Sequence, residues 1–171
     1  MRVGINQFCW PQQYDIAEAM LLSAALGYQS FEVCMTPVRP PQSQGGGVAD
    51  ALDISGYYNR LLHEDAGEAE WKGLRRLSEQ HGIGITSVGG IMSFSIYPLI
   101  SKDSVIAQRG EDAIKKMIDA AHYLGADTVL VITGVLEADM DYQQSFERAQ
   151  ASLLRLSRHA GPQVNLGVEN V

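Results

Sequence analysis

Hydrophobic and polar positions along this chain alternate with two periods, and the switches between them mark out strands and helices. Val3 and Ile5 alternate with Gly4 and Asn6, a period of two that gives a short first strand one apolar face. Asp15 and Glu18, three apart, make the acidic form of a capping box ahead of the row Ala17, Met20, Leu21, Ala24 and Ala25, and Gly27 supplies the stop of helix one. A second strand runs from Ser30 to Met35, with Phe31 and Val33 on one face and Glu32 and Cys34 on the other. Helix two is expected from about Glu68 to Gln80, with Trp71, Leu74 and Leu77 inward and Gly82 after it. Ile83 to Val88 reads as a third strand, broken by Gly89-Gly90 and followed by a loop to about Lys102. Asp103 can cap helix three, whose row Ile114, Met117, Ile118, Ala121 and Leu124 keeps the helical spacing as far as Gly125. Thr128 to Thr133 is apolar nearly throughout, as a strand covered on both faces would be. Helix four carries Phe146, Ala149, Leu153, Leu156 and Ala160, and Gly161-Pro162 closes it. In a fifth strand Val164, Leu166 and Val168 alternate with Asn165, Gly167 and Glu169.

Strict alternation of strand and helix predicts an α/β fold with a parallel sheet and helices outside it. Two architectures compete, the closed barrel and the doubly wound open sheet. The open sheet would put a glycine-rich phosphate loop after strand one, whereas Asn6-Gln7-Phe8-Cys9-Trp10-Pro11 holds no glycine. Polar residues recur instead at strand C-termini, at Asn6, Glu32, Thr133 and Glu169, which suits a barrel whose chemistry sits at that end.

Those strand-end residues are the candidate chemistry. Glu169 ends strand five on its less apolar face, either delivering a carboxylate to a site or standing exposed at a frayed end. Glu32 could accept hydrogen bonds from a bound ligand or from a neighbouring side chain, or be a buried structural carboxylate with a backbone or Arg partner. Asn6 and Trp10 are candidate substrate-binding walls, Trp10 as an apolar platform, with plain packing as its alternative. Gly89-Gly90 reads as a turn, or as a cradle of backbone amides for a phosphate. From Thr36 to Gly67 the chain is irregular, with Pro37, Pro40 and Pro41 followed by Gly45-Gly46-Gly47, and is expected to be a lid or insertion with helical structure near Ile54 to Leu62. The stretch from Pro40 to about Val48 is expected to be mobile.

Composition narrows the partners. Of 171 residues, 46% are hydrophobic and 19% charged, ordinary for one globular domain. A net charge of −7, from 13 basic against 20 acidic residues, offers no basic stripe for nucleic acid. Neither a membrane span nor a secretory signal is expected, so a cytoplasmic protein is the default. Cys9 and Cys34 then read as small buried thiols and not as a disulfide.

Three stretches resemble a known family. Gly4-Ile5-Asn6 leading to Trp10, then Tyr97-Pro98-Leu99-Ile100-Ser101-Lys102-Asp103 leading to Arg109 and to Ala120 through Val129, and finally Gly167-Val168-Glu169-Asn170-Val171, look like the N-terminal part of the xylose isomerase-like TIM barrels. The sugar and sugar-phosphate isomerases and epimerases, ketose 3-epimerases among them, are the group most resembled. The resemblance implies a (β/α)8 barrel of which residues 1–171 make one incomplete domain, about four βα units and strand five. It also implies a divalent metal, Mn2+ or Mg2+ with Co2+ or Zn2+ left open, bound by Glu169 together with an Asp, a His and a second Glu that have no counterpart here. The two glutamates of such a set act as an acid/base pair on a carbon next to a carbonyl, so Glu169 is implied as both metal ligand and catalytic residue. A small-molecule sugar or sugar phosphate is the expected partner. A sugar dehydratase of the same fold and an inactive fragment or binding module are the rival readings.

DNA-repair endonucleases of the superfamily place histidines at early strand ends, whereas His63, His81, His122 and His159 lie in the long loop, at a helix end and in helices. Strands one and five are expected as open edges, leaving Leu130 and Ile132 partly wet and favouring homo-oligomers or aggregation.

Overall fold

The computed structural model describes residues 3–38 and 59–169. Most of the expected lid over 36–67, including Pro40 to Val48, lies outside the described residues, as does the first part of the helical turn expected near Ile54. The described end of that turn, from Asn59 to Leu62, is not helical.

Five strands, β1 (Gly4–Asn6), β2 (Ser30–Met35), β3 (Gly84–Gly90), β4 (Thr128–Ile132) and β5 (Asn165–Glu169), form one parallel sheet in the order β1-β2-β3-β4-β5. Strand order follows chain order with no reversal, so the switch point that defines a doubly wound sheet is missing and the barrel-type arrangement stands. Parallel crossovers of one hand put the helices on one side. On that side Phe31, Val33, Met35, Val88, Val129 and Val131 are fully buried. Leu130 and Ile132 face the other way and are only half-buried, as expected, and among the described residues β1 and β5 are the outer strands of the sheet.

Helix ends follow the local signals. At α1 (Ile16–Ala25), Asp15 Oδ1 accepts from the Ala17 and Glu18 amides at 2.8 and 2.9 Å while Glu18 Oε2 accepts from the Asp15 amide at 3.0 Å. For α2 (Glu68–His81) the start is set by Glu70, whose carboxylate accepts from the Gly67 amide. Asp103 caps α3 (Ser104–Leu124) and Asp141 caps α4 (Tyr142–Ala160). Gly82 and Gly125, with φ of 65° and 76°, close α2 and α3 in the left-handed region that favours glycine.

Three expectations shift. The buried face of α1 is Ile16, Ala19, Met20 and Ser23, with Leu21 half exposed. Ser23 can be buried because its hydroxyl donates to the Ala19 carbonyl at 2.6 Å and accepts from Trp10 Nε1 at 2.8 Å. Gly89 and Gly90 are no turn: they extend β3, paired with Cys34 and Met35, and a π-helical turn (Met92–Ile96) follows. Phe146, expected inward, is 53% exposed and lines a groove between α4 and β5.

Candidate active site at the strand ends

Inter-strand register decides which side chains meet on the inner face. Asn6 pairs with Glu32, Glu32 with Ser87, Ser87 with Thr128 and Thr128 with Asn165, so one polar row crosses all five strands. Further toward the C-terminal ends lie Cys34 beside Gly89, Leu130 beside Gly167 and Ile132 beside Glu169. Glu32 and Glu169 are the only charged residues on the described strands, and both belong to this face.

Asn6 and Glu32 are brought together. The Asn6 amide Nδ2 donates to Glu32 Oε1, and its Oδ1 accepts from the Phe8 amide at 2.6 Å, capping the short 3-10 turn Gln7–Cys9. Ser87 Oγ donates to Glu32 Oε2 at 2.6 Å, so both carboxylate oxygens are held. Cys34 Sγ lies 3.7 Å from Asn6 Oδ1. Burial first, then the Glu32 carboxylate, pushes the Cys34 thiol well above its ordinary value, so it stays protonated and unreactive at neutral pH. Cys34 is thus the buried thiol expected, whereas Cys9 is exposed, and both are free.

A second polar layer joins this cluster to the long connection after β2. Gln7 Oε1 accepts from the Cys34 amide at 3.0 Å and from Asn59 Nδ2 at 3.2 Å. Asn59, fully buried, also accepts from the Leu61 and Leu62 amides at its Oδ1, and its own backbone amide donates to Thr36 Oγ1 at 3.0 Å. Thr36 and His63 form a parallel bridge, and Val38 donates to Glu64. Both described ends of the connection are therefore tied to the mouth of the sheet.

Trp10 stands apart. Its Nε1 is committed to Ser23, and its ring meets Tyr14 edge-on with centroids 5.7 Å apart, which fastens the β1 loop to α1. Glu169 is exposed on β5, three strands away from Glu32. It borders an apolar groove of about 690 Å3 between α4 and β5, lined by Leu136, Phe146, Ala149, Leu153, Leu166 and Val168 among others.

Sequence reasoning missed Ser87, Gln7 and Asn59. Gln7 had a signal in its place directly after Asn6; Ser87 and Asn59 had none. Among the described residues no three His, Cys, Asp or Glu side chains gather into a group that would hold a metal. Glu169 alone is a suitable hard oxygen donor for Mn2+ or Mg2+, but a single carboxylate does not make a site. Among the described residues no helix is long and apolar enough to cross a membrane.

Comparison with known proteins adds to this geometry. The family described as xylose isomerase-like TIM barrel matches residues 21–171. No curated protein matches in sequence. Among solved structures, the D-allulose 3-epimerase from Methylomonas sp. in complex with D-allulose superposes with a TM-score of 0.65 at 16% identity, over 98% of this chain and 50% of its own. D-psicose 3-epimerase with D-tagatose from Clostridium cellulolyticum H10 gives 0.66 at 18%, over 97% and 51%. The 3-keto-D-glucoside 4-epimerase from E. coli gives 0.68 at 13%, over 100% and 56%. The chain spans about half the length of these structures.

Proposed function

The chain belongs to the xylose isomerase-like TIM barrel family, and from that premise we propose that it forms the β1 to β5 part of a sugar isomerase or epimerase of the ketose 3-epimerase type. Residues 1–171 are then one incomplete barrel domain, with 36–67 as an insertion or lid over its mouth, working on a sugar in the cytoplasm. The observation that carries this reading is the pair of carboxylates, Glu32 and Glu169, alone among charged groups on the inner face of the strands. Structures of similar fold were solved with ketoses bound, D-allulose in one and D-tagatose in another, which supports the substrate class.

In this reading the two carboxylates divide the work. Glu169 is exposed and unencumbered, so it can take the proton from the carbon beside a ketose carbonyl. Glu32 has each oxygen engaged by Asn6 or Ser87, which suits a fixed acceptor for sugar hydroxyls better than a moving base. Asn6 orients Glu32, and Trp10 can offer only its ring as a wall, since its N–H is spent on Ser23. A divalent cation, which the family resemblance implies and to which Glu169 would give one oxygen ligand, would supply electrostatic stabilisation of the enediolate oxygen.

The test is deuterium exchange. The protein as encoded by its gene, incubated with ketohexoses and Mn2+ in D2O, should incorporate deuterium at C3 and form the C3 epimer, followed by NMR. Glu169→Gln should reduce both by at least about 100-fold, because an amide is no base and a poorer ligand. Exchange that persists in this variant would remove Glu169 from the chemistry, and a dehydrated product would favour the dehydratase.

A further inference from the structure

Away from the strand ends, a cleft of about 330 Å3 opens between Glu64 and α3, lined also by Tyr97, Arg109, Asp112, Ala113 and Lys116, none of them on a strand. Arg109, Asp112, Ala113 and Lys116 follow the i, i+3, i+4, i+7 spacing, so one face of α3 makes the wall. Two cations converge on it. The Arg109 guanidinium lies over the Tyr97 ring, 4.4 Å from its centroid, a stacking that fixes its plane and leaves its edge N–H groups unspent. Tyr97 is itself clamped: its amide donates to the Met92 carbonyl at 2.6 Å, and its carbonyl oxygen packs so closely on Gly110 that a Cβ there would stand at 2.1 Å. Lys116 Nζ donates to the Glu64 carbonyl at 2.5 Å, which uses one of its three protons. Neither Arg109 nor Lys116 forms an ion pair among the described residues. Acids are plentiful in the chain, 20 against 13 basic residues, so the cleft gathers positive charge that the protein had the means to pair and did not.

The two carboxylates of the same cleft limit which anion it suits. Glu64 Oε1 accepts from the Val38 amide at 3.3 Å, and Asp112 Oδ1 accepts from Gln108 Nε2 at 2.9 Å and Lys115 Nζ at 3.2 Å. Each therefore keeps an oxygen in reserve, able to accept from a hydroxyl and certain to repel a second negative charge. A single carboxylate on a hydroxylated body satisfies both demands. We propose that this cleft is a binding site for a small hydroxycarboxylic acid, with the ligand carboxylate on the Arg109 fork and beside Lys116, and its hydroxyls donating to Glu64 and Asp112. The head group gains a bidentate charge-assisted contact, and the cleft volume lies at the small end of the range of about 300–1,000 Å3 usual for ligand sites. Tyr97 acts through Arg109, as the surface that holds the fork in its plane. The site is separate from the strand ends and does not depend on the ketose reading.

D-Gluconate, titrated into the gene-encoded protein with Mg2+ present, tests this by calorimetry and by amide NMR shifts. It should bind saturably, with the largest shifts at Ala113 and Lys116, and at least about tenfold more tightly than acetate, which is the head alone, or inorganic phosphate. Sorbitol, the body without the head, should show no saturable binding. Arg109→Gln should weaken gluconate at least about tenfold, and Arg109→Lys, which keeps the charge and loses the fork, should recover only part of that. Circular dichroism separates these effects from failure to fold, and the wild-type shift map decides the location whether or not a variant folds. Glu169→Gln should bind gluconate at the cleft as the wild type does, and C3 exchange should be the same in Arg109→Gln as in the wild type, so the site and the epimerase reading can fail separately. Absence of saturable gluconate binding overturns the site, as do largest shifts at the strand ends or an unchanged affinity in Arg109→Gln. Phosphate or acetate bound as tightly as gluconate overturns the assigned ligand class.

Discussion

Replacing Glu111 by Gln perturbs the one buried carboxylate that joins α3 to α4, the two helices flanking β4. The Glu111 side chain is 4% exposed. It accepts from Arg155 Nε at 3.1 and 3.0 Å, from Arg155 Nη2 at 2.5 Å and from Ser152 Oγ at 2.8 Å. Hydrogen bonding from Arg155, more than that from Ser152, holds the Glu111 carboxyl below its ordinary value against the opposing effect of burial. Gln cannot accept through both ends, and its NH2 would face the guanidinium donor to donor. Hydrogen bonds to charged groups contribute about 1.5–3 kcal/mol each, but the Arg155 side chain is 53% exposed and rehydrates when released. The net loss is therefore about 2–3 kcal/mol, or about 5–10 °C in Tm for a chain of this size.

The pH dependence gives the sharper check. The folded-state pKa of Glu111 is depressed, so its stabilisation is fully present above the unfolded value of about 4.3 and is lost as pH falls through the folded value. The difference in Tm between wild type and Glu111→Gln, measured by calorimetry or circular dichroism, should be largest near pH 7 and shrink by half or more between about pH 5 and pH 3. A difference that stays constant over that window, or that is below about 1 °C at pH 7, would refute the assignment of charge-assisted stabilisation to this pair.

Gly110→Ala should destabilise by about 1–3 kcal/mol in urea unfolding despite better helix propensity, because the added Cβ would stand 2.1 Å from the Tyr97 carbonyl oxygen; an unchanged or raised midpoint would contradict that approach. Asn59→Ala removes the acceptor of the Leu61 amide and one donor to Gln7 Oε1, while the Leu62 amide keeps its bond to the residue-59 carbonyl, so the Leu61 amide should exchange hydrogen at least about tenfold faster, and retained protection there would count against the network. The exposed Phe146 and Val168 beside the open edge of β5 should make the 171-residue chain self-associate at tens of μM or so, and Phe146→Gln should shift sedimentation toward the monomer; a wild-type monomer at about 100 μM would defeat this.

What the sequence made legible and what it hid divides by distance along the chain. Asp15 with Glu18, Asp103, Gly82 and Gly125 act within a few residues of themselves, so the helix ends they announce are the ends observed. The burial of Ser23 was hidden because it depends on Trp10, and the continuation of β3 through Gly89-Gly90 because it depends on Cys34 and Met35. At the candidate site, Asn6 and Glu32 could be picked out from their places at strand ends, while Ser87 sat in mid-strand with nothing to mark it. Its role is created by register. Phe31 pairs with Ile85 but Glu32 pairs with Ser87, so the ladder skips Thr86 at that point. Without that shift Thr86 would stand opposite Glu32, and Ser87, one residue on, would turn toward the helices. A single bulge thus selects which hydroxyl meets the carboxylate, and no period in either strand alone encodes it.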